Sequence, residues 1–216
     1  LITEGTTKKF IVVGIWNNGQ KRHPEYFPQK PYESLDQSQK DTITAQLQKA
    51  GRTKETFQPI SDRYLKFITS ELKPYIDQQF STLTDRKNTC IAGSSMGGLI
   101  SMYAICEYPE IFGGAACIST HWPGTFSTVN NPIPDAFHNY MNSHLPDPNT
   151  HLLYFDYGNK TLDALYPELQ KKMDALMLKK GFTTSNWTTQ FFEGKDHSEK
   201  SWAERLPIPF EFLLKK

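Results

Sequence analysis

The chain lacks the features that mark membrane proteins and nucleic-acid-binding proteins. Its longest apolar stretches, such as residues 10–16 and 111–118, are far shorter than the roughly 20 residues of a membrane helix. Lys and Arg total 24 against 23 Asp and Glu, and no long run of one sign occurs. This balance disfavours binding to nucleic acid or to an anionic membrane. We expect a soluble protein of the cytoplasm or the periplasm.

The sequence also lacks the patterns that hold disulfides, metals or nucleotides. Its three cysteines, Cys90, Cys106 and Cys117, are an odd number without CxxC spacing, which disfavours a disulfide framework and a zinc site. Each lies among Ile, Ala and Gly, as expected of a buried thiol. The sequence contains no HExxH, Cys/His cluster, GxGxxG or P-loop, so we expect neither a metal nor a nucleotide cofactor.

What the sequence does contain is an alternation of apolar strand patterns and amphipathic helix patterns. The spacing predicts strands over residues 10–15, 88–92, 112–119, 152–157 and 187–192, and helices over 37–49, 62–80, 96–107, 162–179 and from 198 onward. Strands that are apolar throughout are typical of parallel sheets covered on both faces. We therefore predict an α/β fold with a mainly parallel sheet between two helical layers, formed by one domain over residues 1–216.

The most informative segment lies where a predicted strand meets a predicted helix. Residues 93–97 read Gly-Ser-Ser-Met-Gly, the Gly-x-Ser-x-Gly pattern of a nucleophile elbow centred on Ser95. The glycines allow a sharp turn that raises the serine hydroxyl above the sheet. The backbone N–H of Met96, at the helix N-terminus, can stabilise an oxyanion. Ser94 is the alternative nucleophile, but the glycine spacing centres on Ser95.

A serine nucleophile needs a histidine base and an acid that orients this base, and in such folds the order is Ser, Asp or Glu, then His. Of the six histidines, only His197 follows the last predicted strand, in a polar turn before a helix. Two carboxylates lie near the end of the preceding strand. Asp163 follows a glycine turn that can bring it beside His197, whereas Asp156 falls within the strand pattern. We therefore favour Asp163 as the acid.

At these residues the sequence resembles the esterase family of α/β-hydrolases that contains esterase D and the enterochelin-type siderophore esterases. The elbow with its second trailing glycine and the His-x-x-x-x-Trp pattern at residues 197–202 carry the resemblance most specifically. Matching stretches cover most of the chain, at residues 10–28, 62–76, 89–124, 154–176 and 191–206. The resemblance implies an α/β-hydrolase fold in which Ser95 is the nucleophile, Asp163 the acid and His197 the base.

The resemblance also implies a pocket mouth with Trp16, Arg22, His121 and Trp122, which we predict to bind substrate. A second interpretation stays open, in which Arg22 pairs with Glu25 and Trp122 belongs to the core. The function implied is hydrolysis of a small-molecule, sugar-linked or siderophore-linked carboxylic ester. Two alternatives are an acyltransferase that passes the acyl group to an alcohol and an inactive relative that only binds its ligand.

The start of the chain departs from the family pattern. Family members carry further strands before the segment equivalent to residues 10–15, and one of these strands ends in an Asp-Gly turn at the oxyanion hole. This sequence begins at about the helix that precedes the segment. We therefore expect an N-terminally incomplete domain, with a vacant position in the sheet and without an assigned second oxyanion donor.

Overall fold

The computed structural model describes residues 1–215, which are built around a sheet of four parallel strands. The strands are β1 (Cys90–Ser94), β2 (Gly114–Ile118), β3 (Leu152–Tyr157) and β4 (Trp187–Phe191), and they lie side by side in that order. Ser94 pairs with Ile118, and Ile118 with Asp156, so the strands end at nearly one level. The loops that follow the four strands therefore meet along one edge of the sheet, which we call the carboxyl edge.

Helices fill the segments between and around the strands. Within residues 1–215 the α-helices are α1 (Arg22–Tyr26), α2 (Gln29–Glu33), α3 (Gln37–Lys49), α4 (Ser61–Phe67), α5 (Lys73–Gln79), α6 (Met96–Glu107), α7 (Ile133–His144), α8 (Pro167–Lys179), α9 (Glu199–Arg205) and α10 (Pro207–Leu213). No helix in this part of the chain is long and apolar enough to cross a membrane.

Alternate residues of the sheet face two different helical layers. In β2, Ala115 and Cys117 belong to the larger core, which also contains apolar residues of α6, α7 and α8. Ala116 and Ile118 face the opposite side, where Leu213 of α10 packs. This alternation follows from the period of two along a strand. The predicted α/β fold with a parallel sheet between helical layers is confirmed.

Helix α6 is the most deeply enclosed helix of the molecule, with eleven of its twelve residues buried. Its sequence has Met, Gly, Leu, Ile and Ala on every side, which is expected of a helix that is covered all round. Gly98 shows how closely its neighbours approach, because an added Cβ would lie 2.9 Å from Thr120 Oγ1. The helix that begins directly after the predicted nucleophile is therefore rigidly held by packing.

Several predicted helices are present, with interruptions that proline explains. The helix at residues 37–49 is α3, and a capping box between Asp36 and Gln39 closes its N-terminus. The predicted helix at 62–80 is α4 and α5 joined by a π-helical turn, Ile68–Leu72, just before Pro74, which lacks the N–H that a regular helix requires. Pro207 likewise separates α9 from α10 in the predicted terminal helix.

Helix α7 is not among the predicted elements, although its sequence carries a clear signal. Ile133, Ala136, Phe137, Tyr140 and Met141 are all buried on one face. Their spacing of three, one, three and one is that of an amphipathic helix. Pro132 and Pro134 lie just before and within the first turn, where proline is compatible with the start of a helix. Together with this start, the periodicity identifies the helix.

The strand predicted at residues 10–15 is wrong, because the segment is extended but unpaired. Residues 11–13 are exposed, Val12 by 66%. β1 is an edge strand, and within residues 1–215 no strand pairs with this segment. A backbone bridge between Thr7 and Lys215 anchors the chain just before the segment. An apolar, β-branched sequence does not form a strand where no neighbour receives its backbone hydrogen bonds.

Candidate active site

The three residues predicted to act together follow three different strands at the carboxyl edge. Ser95 comes directly after β1, Asp163 lies in the loop after β3, and His197 lies in the loop after β4. Loops at the carboxyl ends of parallel strands are where α/β proteins place their sites. The structure therefore brings together residues that are 34 and 102 positions apart in the chain.

Ser95 occupies a sharp turn between β1 and α6. Its backbone has φ 60° and ψ −120°, a region that residues with a side chain rarely adopt. Gly93 allows this turn, since a Cβ at that position would lie 2.5 Å from the carbonyl oxygen of Gly97. The Ser95 N–H donates to the carbonyl of Ile118 at 2.9 Å, which fixes the turn to β2.

A continuous chain of hydrogen bonds joins the three side chains. His197 Nε2 lies 2.8 Å from Ser95 Oγ, and His197 Nδ1 lies 2.6 Å from Asp163 Oδ1. Because the carboxylate accepts at Nδ1, neutral His197 carries its proton there and leaves Nε2 to accept from the serine hydroxyl. Ser95 and Asp163 are buried and His197 is half-buried. This arrangement can move a proton from the serine to the imidazole.

The loops that carry Asp163 and His197 are bound to each other. Gly158 donates its N–H to Asp163 Oδ2 at 2.6 Å, and the His197 N–H donates to Thr161 Oγ1 at 2.9 Å. Any side chain at Gly158 would clash, because a Cβ there would lie 2.2 Å from the carbonyl oxygen of Lys195. The relative position of acid and base is therefore set by backbone contacts as well as by their own hydrogen bond.

Met96, the predicted oxyanion donor, is the first residue of α6. At this position a backbone N–H has no acceptor within the helix. Ser95 is the N-cap residue of α6, so the positive end of the helix dipole lies next to the serine.

His121, predicted to bind substrate, lies beside Ser95 but is only 1% exposed, so in this structure it has no surface to offer a ligand. Its backbone N–H donates to the Ser95 carbonyl at 3.2 Å, and its Nδ1 lies 2.9 Å from the hydroxyl of Tyr166. Burial lowers the pKa of His121 to about 3 and raises the pKa of Tyr166 far above its usual range, so both groups are neutral. The other ring nitrogen, Nε2, is buried and has no hydrogen-bond partner within residues 1–215.

Trp122, predicted to bind substrate, lies in the core and not at a pocket mouth. Its side chain is 1% exposed, its indole N–H donates to Gln170 Oε1 at 2.8 Å, and its ring packs 5.8 Å from that of Phe155. A tryptophan whose surface and polar atom are already used by the protein has nothing left to offer a ligand. The core interpretation of Trp122 therefore holds in this structure.

Trp16 and Arg22 lie outside the core. Trp16 is 95% exposed and packs against almost nothing. The Arg22 guanidinium lies 5.6 Å from the ring centre of Tyr26, and within residues 1–215 it forms no ion pair with Glu25. Burial lowers the pKa of Arg22, and the nearby charge of Arg52 acts in the same direction. The alternative prediction that Arg22 pairs with Glu25 is therefore wrong.

A second buried network, which the sequence did not predict, supports the acid. Arg205 of α9 donates to Asp156 Oδ1 and Oδ2 at 2.8 and 3.1 Å and to Ser119 Oγ at 2.6 Å. The Ser119 hydroxyl in turn donates to Asp163 Oδ2 at 2.6 Å. The signal in the sequence is Asp156 itself, because a carboxylate within an apolar strand needs a buried partner. Nothing in the sequence identifies Arg205 as that partner.

No three His, Cys, Asp or Glu side chains of residues 1–215 lie close enough together to hold one metal ion. The three cysteines are free thiols. Burial raises the pKa of Cys90 to about 11, since the apolar surroundings disfavour a thiolate.

Comparison with known proteins identifies related sequences. The profile of the family described as Putative esterase matches residues 1–210. The chain is also similar to the uncharacterized protein YbbA of Bacillus subtilis (strain 168), with 25% identity over 160 residues, which cover 71% of this chain and 60% of YbbA. The chain thus spans less than two thirds of the length of this relative.

Solved structures with the same fold include three esterases or hydrolases. An IroE-like serine hydrolase from Shewanella oneidensis superposes on 97% of this chain and 61% of its own, with a TM-score of 0.68 and 17% identity. A ferulic acid esterase gives a TM-score of 0.57 with 18% identity, over 70% of this chain and 60% of its own. The enterobactin esterase FES from Shigella flexneri gives a TM-score of 0.54 with 18% identity, over 71% of this chain and 38% of its own. All three share the α/β-hydrolase fold with this chain.

Proposed function

The chain belongs to the Putative esterase family, and on that premise we propose that it is a serine carboxylic-ester hydrolase. The observation that carries the proposal is the unbroken chain from Ser95 Oγ through His197 to Asp163, with distances of 2.8 and 2.6 Å. This order and geometry support the proposed roles of Ser95 as nucleophile, His197 as base and Asp163 as orienting acid.

In the acylation step, Ser95 Oγ attacks the ester carbon while His197 Nε2 takes the hydroxyl proton. The carbonyl oxygen becomes an oxyanion that accepts the N–H of Met96 at the start of α6. Asp163 stabilises the imidazolium through its bond to Nδ1. The C–O bond to the alcohol then breaks, and the imidazolium gives its proton to the leaving alcohol oxygen.

In the deacylation step, a water molecule replaces the alcohol. His197 takes one proton from the water as its oxygen attacks the acyl carbon. The bond from this carbon to Ser95 Oγ breaks, and the serine recovers its proton from the imidazolium. The products are a free carboxylic acid and the unchanged enzyme.

For the substrate we propose an ester with an aromatic acyl group. Two of the structural neighbours are named as ferulic acid esterase and enterobactin esterase, the latter in the presence of 2,3-di-hydroxy-N-benzoyl-serine. His121 is next to the nucleophile, and the half-exposed ring of Phe126 lies 5.5 Å from it. We further propose that Arg22 binds the polar end of the substrate. A panel of feruloyl, benzoyl and acetyl esters measures this preference directly.

The deciding experiment is Ser95→Ala, with Ser94→Ala as the matched control. We expect Ser95→Ala to lower kcat/KM for p-nitrophenyl acetate by at least about 10⁴-fold, because the attacking oxygen is lost. Ser94→Ala, which removes the same atom one residue earlier, should keep most of the activity. Turnover by Ser95→Ala at the wild-type rate contradicts the proposal.

A covalent probe separates an active hydrolase from a relative that only binds its ligand. A fluorophosphonate reacts with a serine only when a base activates it. We expect intact mass to show one equivalent bound to the wild type and none to Ser95→Ala. If the wild type stays unlabelled although circular dichroism shows that it is folded, the result argues for a binding protein.

A further inference from the structure

Ser119 connects the proposed acid to a buried cation. Its hydroxyl donates to Asp163 Oδ2 at 2.6 Å and accepts from Arg205 Nη2, also at 2.6 Å. The direction of both bonds is fixed, because a guanidinium can only donate and the serine has a single proton to give. The proton of Ser119 therefore points at the carboxylate, and the positive charge of Arg205 lies directly behind it.

The backbone of Ser119 is held in place independently of its hydroxyl. Its N–H donates to the main-chain carbonyl of Asp156 at 3.0 Å and to the side chain of Asp156 at 2.9 Å. Asp156 also accepts from Tyr154 and forms the ion pair with Arg205. All these groups are buried, so the bonds lie in a region of low dielectric where they are strong.

The two oxygens of Asp163 thus have separate partners. Oδ1 faces His197, while Oδ2 accepts from Gly158 N–H and from Ser119. Two donors on Oδ2 prevent rotation of the carboxylate and leave Oδ1 aimed at the imidazole. They also withdraw negative charge from the carboxylate, and the cation of Arg205 strengthens this effect by polarising the serine O–H.

We propose that Ser119 and Arg205 are positioning residues that orient the Asp163 carboxylate and limit how tightly it holds the proton of the His197 imidazolium. The inference deepens the proposed function and rests on it, because it concerns the same acid and base. An imidazolium held too tightly gives up its proton slowly to the leaving alcohol. Ser119 and Arg205 therefore tune the transfer without touching the substrate.

The test uses two substitutions of Ser119 in the full chain. Ser119 has φ 41°, where glycine is more favourable, so Ser119→Gly removes the hydroxyl and relieves backbone strain. Ser119→Ala removes the hydroxyl and keeps the strain, and agreement between the two variants isolates the hydroxyl. Ser61→Ala is the control, because Ser61 is equally buried but its hydroxyl accepts from Gln29 N–H on another part of the molecule.

The main readout is the NMR titration of the His197 ring, which does not require turnover. Other ionisable groups around the pair are His121, Tyr166 and, behind Ser119, Arg205 with Asp156. These stay the same in all variants. We expect both Ser119 variants to move the titration midpoint upward by about 0.5 pH unit, because the carboxylate becomes a stronger base. For an acetyl ester of an aliphatic alcohol, whose leaving oxygen needs this proton, we expect kcat to fall about tenfold with KM unchanged.

The possible outcomes separate this inference from the proposed function. If folded Ser119→Gly and Ser119→Ala titrate like the wild type and like Ser61→Ala, Ser119 is only structural and the inference is wrong. A downward shift overturns it as well. An active Ser95→Ala variant instead contradicts the proposed esterase, whereas the His197 titration still reports whether Ser119 acts on the acid–base pair.

Discussion

Two segments of this molecule show opposite relations between sequence and structure. Residues 10–15, Phe-Ile-Val-Val-Gly-Ile, have the β-branched composition that strands favour, yet they form no strand. β1, Cys90–Ser94, contains alanine, glycine and serine, which strands disfavour, yet it forms a regular parallel strand beside β2. Strand propensity alone would have assigned the two segments the other way round.

The difference lies in the neighbours of each segment. β1 has β2 on one edge and the buried helix α6 against it, so its backbone is paired and its small residues allow close packing. Residues 10–15 have apolar side chains but no strand beside them within the described residues 1–215. A strand is thus decided by what receives its hydrogen bonds, and its sequence needs only to be compatible with those neighbours.

The largest expected effect comes from making the same substitution in each kind of environment. Ile118 of β2 is 3% exposed, whereas Ile11 is 52% exposed. We expect Ile118→Ala to lower the free energy of unfolding by about 2–5 kcal/mol, because it leaves a cavity in the core. We expect Ile11→Ala to change it by less than about 0.5 kcal/mol. The measurement is urea denaturation. If the two variants lose the same free energy of unfolding, residues 10–15 are packed as firmly as the sheet.

A smaller effect tests why β1 forms a strand although its residues have a weak strand propensity. A Cβ at Gly93 would lie 2.5 Å from the Gly97 carbonyl oxygen, while a Cβ at Gly97 has nothing within 4 Å. We expect Gly93→Ala to destabilise the protein by about 1–3 kcal/mol and to lower activity, since the elbow must move. Gly97→Ala should be neutral or stabilising by up to about 1 kcal/mol, because alanine favours a helix. If both variants change the melting temperature by a similar amount, the close approach of residue 93 to the Gly97 carbonyl is ruled out.

The third effect concerns two buried histidines, His23 and His121, in contrast to the exposed residues 11–13. Burial lowers the pKa of His23 to about 4 and that of His121 to about 3, from 6.5 in the unfolded chain. Below pH 6.5 the unfolded state therefore binds more protons than the native state, and the free energy of unfolding falls as the pH drops toward 4. Each group contributes a slope of up to about 1.4 kcal/mol per pH unit.

Chemical denaturation of the wild type and of a His23→Gln/His121→Gln variant between about pH 7 and about pH 5 measures this slope. We expect the variant to have the flatter dependence, because glutamine does not titrate. If both proteins lose stability equally on acidification, other groups control the acid sensitivity and the two imidazoles remain accessible to protons in the native state.

The sequence could predict the elements that depend on local pattern. The elbow around Ser95 is readable because strand, turn and helix signals coincide within a few residues. His197 and Asp163 are readable from their order along the chain, and the structure places both within hydrogen-bond reach of their neighbours. A local pattern thus predicts the elbow, whereas the order of residue types along the chain predicts its distant partners.

The features that the sequence could not predict join distant residues without a local pattern. Ser119 and Arg205 are 86 positions apart and each is an ordinary residue in its own segment. The core position of Trp122 depends on Gln170, a side chain 48 positions away that satisfies its indole N–H. The unpaired state of residues 10–15 likewise depends on a partner strand, which no property of the segment itself can reveal.

The burial of α6 has a consequence for how the proposed activity is lost. The helix begins directly after Ser95 and is enclosed by the rest of the core, so it cannot open as a local unit. Its backbone amides should exchange with deuterium only through complete unfolding. Inactivation by denaturant should then follow the global transition, with no partly unfolded species that has lost Ser95 alone.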